Sequence, residues 1–154
     1  MKGALSIEQV GFIFADALAE VISVASGMAF AVLPPEQCTE FDEVIGAMSL
    51  PGAKNGMFFI SSSREAMREI ASFMTGMSHE HIDEDDIHDT MCELVNVTGG
   101  NAALRIADPQ YKFSASIPFA LAGNDVSIVL KKNVQIVSKV LKNRDITLKI
   151  QVVY

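Results

Sequence analysis

The stretch from Asp89 to Leu104 reads DTMCELVNVTGGNAAL, and its spacing decides how the chain is read. At about 100° per residue on a helix, positions four and seven along return to one side. Asp89, Glu93, Asn96 and Gly100 therefore fall on one stripe, while Ile87, Met91, Leu94, Val95, Thr98 and Ala102 fall on another, roughly opposite. With the apolar stripe in a core, Glu93 and Asn96 point into solvent. A carboxylate and a carboxamide one turn apart, beside a glycine, predict a surface on which another molecule docks.

Working outward, this helix starts near Asp83, and Asp83, Glu84, Asp85 and Asp86 crowd its first turn. Negative charge is favoured there by the unsatisfied amide groups. The glycine and terminal glutamate of a calcium-binding EF-hand are missing, so the acidic run is read as helix chemistry. An earlier helix opens at Ser6, where Ser6 with Gln9 makes a capping box and Leu5 with Val10 a hydrophobic staple. Its inward positions are Val10, Phe14, Ala17, Leu18, Val21, Ile22 and Ala25; Gly27 ends it, and Pro34-Pro35 forbid any continuation. A shorter helix is expected from Ser62, with Glu65 completing a capping box, Ala66, Ile70, Phe73 and Met74 facing inward, and Gly76 closing the end. The first helix also echoes the third: Asp16, Glu20, Ser23 and Gly27 repeat the spacing of Asp89, Glu93, Asn96 and Gly100. Either an ancestral duplication or coincidence between two amphipathic helices accounts for it.

Six segments read as strands: Phe41 to Leu50, Met57 to Ser61, Ser114 to Ala120, Val126 to Leu130, Val134 to Leu141 and Ile146 to Val153. Turn signals separate them at Pro51-Gly52, Asn55-Gly56, Gly123-Asn124, Lys131-Lys132-Asn133 and Asn143-Arg144-Asp145. The last segment alternates Ile146, Leu148, Ile150, Val152 against Thr147, Lys149, Gln151, a half-exposed antiparallel pattern. The expected class is α+β: two long helices and a shorter one on a largely antiparallel sheet of about six strands, pseudo-duplicated. No low-complexity linker marks a boundary, so residues 1–154 are expected to form a single domain.

Composition narrows the partners. With 154 residues, 49% hydrophobic and 20% charged, the chain is globular in character and long enough for one real core. A net charge of -7 argues against a nucleic-acid backbone and for protein partners or cationic groups. Cys38 and Cys92 form no CxxC pair, which favours reduced thiols. Glu20, Ser23 and Ser26 interrupt the richest apolar run, and Lys2 is followed by no small-residue cleavage pattern. A cytoplasmic protein without a membrane span is expected.

Asn96 does not titrate near neutral pH, but its amide offers two donors and an acceptor, which suits holding one water in a fixed orientation. Phosphoryl transfer needs this kind of help, because catalysis there is mostly positioning. Glu93 would then be free to pair with a partner's lysine. Gly99 and Gly100 each cost roughly 1 kcal/mol inside a helix relative to alanine. Close approach by a partner, fraying, or tight packing on a strand would each explain them. Other chemistry is less well supported. His79, His81, His88 and Cys92 match no structural zinc spacing. Ser61-Ser62-Ser63 lacks a G-x-S-x-G turn, and residues 52–56 lack the spacing of a phosphate-cradling loop.

D-x3-E-x2-N with a later proline resembles the signature of the CheC/CheX/FliY phosphatases of bacterial chemotaxis; Asp89, Glu93, Asn96 and Pro118 fill its four places. The run from Met91 to Leu104, with Gly100-Asn101-Ala102, is similar to that family's E-x2-N-x3-GNA helix, and Ser116-Ile117-Pro118 continues the match. One complete E-x2-N makes the chain resemble the CheX branch. The resemblance implies a CheC-like fold and a hydrolase of two-component signalling that acts on the phosphoaspartate of the response regulator CheY. By the same carry-over Asn96 would orient the attacking water and Glu93 would pair with the regulator's lysine. Asp89, Gly100, Asn101 and Pro118 would support them. The chain itself would hold no cofactor or metal, since Mg2+ would sit on the regulator. A homodimer joined through the sheets is implied as well. The alternative is a non-catalytic CheX-like module that docks on a regulator or a motility assembly.

Overall fold

The structure, a computed structural model, describes residues 3–33 and 41–154. Lys2, Pro34, Pro35 and Cys38 lie outside the described residues.

Local chemistry sets the helices. Helix α1 spans Ile7–Ser26; Ser6 Oγ accepts from the Gln9 amide and Gln9 Oε1 from the Ser6 amide, so the expected capping box is formed. Gly27 closes α1 at φ 72°, a left-handed conformation that costs glycine little. Helix α2 spans Arg64–Thr75 and ends on Gly76 at φ 74°. Helix α3 spans Glu84–Arg105, with Asp83 and Asp86 exchanging amide hydrogen bonds in a capping box of their own. The start of α2 is one residue later than Ser62 predicts. Ser62 belongs to a strand, is buried, and donates its hydroxyl to Thr147 O; Ser63 is the cap and accepts from the Ala66 amide.

Among the described residues six strands form one sheet: β1 Ala31–Leu33, β2 Val44–Leu50, β3 Gly56–Ser62, β4 Phe119–Leu121, β5 Ile136–Asn143 and β6 Ile146–Val153. Their spatial order is β1-β5-β6-β3-β2-β4, and every neighbouring pair is antiparallel. Along the chain the order is helix, three strands, then α2, then again helix, three strands. The first strand of each repeat crosses over. β1 pairs with β5 and β4 with β2, so α1 lies on β1, β5 and β6 while α3 lies on β4, β2 and β3. The pseudo-duplication expected from the helix echo is thus matched by the layout.

One main core lies between the helices and the sheet. Val10, Phe14 and Leu18 of α1 meet Met91, Leu94 and Val95 of α3 over Met48, Phe58 and Leu148. The expected inward stripe of α3 is buried throughout. Phe73 departs from expectation: it is exposed at the rim of a surface cavity formed with Gly27, Met28 and residues 143–146, while its neighbour Met74 packs against the core. Ala25, in the last turn of α1, is likewise exposed.

The opposite sheet face carries a smaller cluster. Ile45, Ala47, Phe59 and Val153 are buried there beneath Phe41, Leu121, Ile128, Leu130 and Val134. Val126 to Leu130, expected as a strand, instead forms no ladder, and Ile128 and Leu130 cover this face. The strand expected over Ser114 to Ala120 shrinks to β4. Pro118 has no N–H to give a ladder, so pairing with β2 begins only at Phe119. β1, at three residues, is too short to show alternation and was not expected.

Candidate functional site

The site is built by how low α3 sits on the sheet. A Cβ on Gly46 of β2 would come within 2.6 Å of Met91 Cγ and 2.7 Å of Val95 Cγ2. A Cβ on Gly99 would lie 2.7 Å from Met48 Sδ. These two glycines let helix and sheet approach closely, which fixes the rotation of α3 about its axis. The cap at Asp83 and the ion pair of Arg64 Nε with Glu84 Oε1 at 2.9 Å fix its first turn. Three acidic residues in that turn suit the amide dipoles, and Arg105 suits the other end.

This rotation leaves Asp89, Glu93 and Asn96 exposed along one line of α3. Among the described residues none makes a hydrogen bond or ion pair to the side chains of Glu93 or Asn96. Gly100 follows on the same line and is half-buried, yet nothing lies within 4 Å of where its Cβ would be. The two glycines thus separate in cause. Gly99 serves packing on the sheet, whereas Gly100 has no internal reason to lack a side chain. The helix does not fray there, since it continues to Arg105. Asn101, about a quarter turn away, is half-buried. Pro118 is half-buried at the entry to β4, and β4 packs against α3.

Cys92 is half-buried next to this line, and burial first, then the negative charge of Asp89, raises its thiol pKa. A thiol held protonated is a weak nucleophile. Two of the histidines are engaged locally: His79 Nε2 lies 2.9 Å from Glu65 Oε1, and His81 Nδ1 is 2.6 Å from Ser78 Oγ. Among the described residues no group of three or more His, Cys, Asp or Glu is placed to hold a metal ion. Nor is any helix among them long and apolar enough to cross a membrane.

The echo on α1 is exposed too, but its chemistry differs. Arg105 Nη1 lies 2.8 Å from Asp16 Oδ2, and Arg105 Nη2 pairs with Glu20 Oε2. The carboxylates of α1 are therefore engaged, whereas Glu93 is not. Gly27 is a left-handed cap rather than an interior residue, so the correspondence with Gly100 stops at its last position. Two neighbours of the α3 line were not expected. Arg105 declares itself only through its partners in space. Leu104 was within reach, for the stripe carried one turn beyond Gly100 arrives at it.

The comparisons bear on the family and the fold. The family model for the chemotaxis phosphatase CheX matches residues 44–141, and the chain belongs to that family. A CheC-like superfamily protein from Shewanella sp. PV-4 is similar at a TM-score of 0.81 and 22% identity, over 97% of this chain and 98% of that one. The chemotaxis protein CheX from Desulfovibrio desulfuricans is similar at 0.79 and 17%, over 94% and 97%. A chain of the CheX–CheY–BeF3–Mg2+ complex from Borrelia burgdorferi is similar at 0.78 and 17%, over 92% and 94%. At these identities the likeness speaks for the fold. No curated protein matches the chain.

Proposed function

We propose that this chain, acting as one domain over residues 1–154, hydrolyses the phosphoaspartate of a CheY-type response regulator. The observation that carries the reading is the pair Glu93 and Asn96, both exposed, one turn apart, on a helix whose rotation is locked by Gly46 and Gly99. The family described as a chemotaxis phosphatase and the fold shared with a CheX solved together with CheY, BeF3 and Mg2+ support it.

In this mechanism α3 lies over the receiver domain's phosphorylated pocket. Glu93 pairs with a lysine of the receiver and sets the register. The Asn96 carboxamide enters the pocket and holds one water in line with the P–O bond to the aspartyl group. A bond forms from the water oxygen to phosphorus, and the acyl P–O bond breaks. The aspartate carboxylate leaves with the bonding electron pair, and the water's protons pass to phosphate and solvent. Asn96 transfers no proton, so its contribution is positional. Mg2+ is held by the receiver, and this chain supplies no ligand to it. Asp89 and Asn101 support the face, Gly100 keeps it shallow, and Pro118 shapes the strand beside it. The chain works in the cytoplasm as a homodimer joined across the sheet's outer face, a reading supported by exposed Phe119, Val129 and Ile136.

The test mixes the protein with Mg2+ and a phosphorylated CheY-type receiver. Asn96→Ala is expected to lower the dephosphorylation rate at saturation by about 100-fold or more, on the scale of losing a positioning group. Equal rates for wild type and Asn96→Ala would leave a non-catalytic docking module. Glu93→Ala is expected to weaken binding chiefly, and unchanged affinity would remove the lysine pairing.

A further inference from the structure

Leu104 is 87% exposed, the barest large apolar side chain on α3, although the helix buries its other aliphatic stripe completely. A single exposed leucine is ordinary on a protein surface. Its position sets this one apart. Eleven residues after Glu93, it returns at about 100° per residue to within roughly 20° of Glu93 and about 80° from Asn96, so the whole set stays within an arc of roughly 80°. Asp89, Glu93, Asn96, Gly100 and Leu104 therefore make one continuous face. Gly100 between them carries no side chain, and nothing near it fills the space. A body lying along α3 can touch Asn96 and Leu104 together without an obstacle. At 1.5 Å per residue the two are about 12 Å apart, well inside the footprint of one ordinary protein interface. The neighbouring guanidinium of Arg105 is drawn toward Asp16 and Glu20 on α1, so it does not lie across the line.

We propose that the docking face of α3 runs over Gly100 to Leu104, and that Leu104 seats against an apolar patch of the receiver domain beside its phosphoaspartate. This rests on the phosphatase reading above. A face that is anionic at Asp89 and Glu93 and apolar at Leu104 accepts the receiver in one direction along the helix. Charge at one end sets register, and the leucine at the other end closes the reverse orientation. Leu104 is a binding residue and takes no part in the chemistry.

The experiment compares wild type, Leu104→Ala, Leu104→Asp and Asn96→Ala. The probes are a CheY-type receiver phosphorylated with acetyl phosphate for turnover, and the same receiver activated with BeF3 and Mg2+ for affinity. Leu104→Ala is expected to raise KM and Kd about fivefold and Leu104→Asp by more than tenfold, as for truncating or charging an interface leucine. The kcat should stay within about twofold of wild type. Both variants should melt as wild type does, since the side chain is exposed. If Asn96→Ala loses turnover while Leu104→Asp keeps wild-type KM and Kd, the extension is wrong and the phosphatase reading stands. If Asn96→Ala retains wild-type turnover, the phosphatase reading itself fails. Should Leu104→Asp change the sedimenting mass and leave receiver affinity unaltered, the leucine is a contact between copies of this chain and the proposal is overturned.

Discussion

Arg105 Nη1, in the last turn of α3, lies 2.8 Å from Asp16 Oδ2 on α1, and the same guanidinium also holds Glu20. One side chain thus joins the two long helices at the surface and occupies the acidic pair of α1. These groups are partly open to solvent, so the network is worth about 0.5–1 kcal/mol. Arg105→Ala should lower stability by that amount in urea titration. The difference from wild type should shrink at 1 M salt, where screening reaches to about 3 Å. A loss that ignores salt would mean that the arginine stem, and not its charge, holds the helices.

Adjacent glycines on α3 predict opposite outcomes. Gly99→Ala places a methyl group 2.7 Å from Met48 Sδ and 3.2 Å from a Phe58 ring carbon. It should destabilise the protein by about 1–3 kcal/mol, the usual cost of overpacking. Gly100→Ala meets nothing and should stabilise the helix by about 0.5–1 kcal/mol. Thermal melts of the pair decide this, and shifts of the same sign would refute the assignment of Gly99 to packing.

Thr98 is fully buried, and its hydroxyl has no partner among the described residues. An unsatisfied buried hydroxyl costs about 1–3 kcal/mol. Thr98→Val keeps the shape and removes the polar atom, so it should raise stability by about 1 kcal/mol. A destabilised valine variant would show that the hydroxyl is satisfied in solution.

Tyr154 donates its hydroxyl to Tyr111 O at 3.2 Å and sets its ring edge-on to that of Tyr111. Burial, with the charge of Tyr111 adding to it, pushes the Tyr154 phenol up to about 12. The unfolded phenol titrates near 10. Because the folded value is the higher one, the neutral phenol favours folding below about pH 10, and this support is lost as pH rises from about 10 to 12. Ultraviolet titration should show a phenol ionising about two units late in the native state, and Tyr154→Phe should abolish that step. A native titration complete by pH 11 would contradict it.

What sequence could show depended on whether the cause was local. The stripe of α3, the caps at Ser6 and Asp83, the stop at Gly27 and the alternation of β6 are set within a few residues, and all are legible. Glu93 and Asn96 could be placed on an exposed line because Met91, Leu94 and Val95 claim the other side of the helix. Ser62 and Ser63 differ only in which one pairs with Thr147 O, a contact from a distant strand. Val126 to Leu130 has a strand's composition, yet it covers a sheet face instead of extending an edge. β1 is identified by β5, not by its own three residues. Arg105 is legible as a helix-terminal cation, but its engagement of Asp16 and Glu20 depends on the two helices lying side by side.

The reciprocal trade of β1 and β4 has a consequence for how this molecule assembles. Each half borrows its outermost strand from the other, so neither could be excised as a working fragment. A cut in the connection before α2 would leave two pieces that each lack an edge and expose the other's seat. The complete sheet therefore needs both halves at once, because β1 is seated only by β5 and β3 gains its second neighbour only from β6.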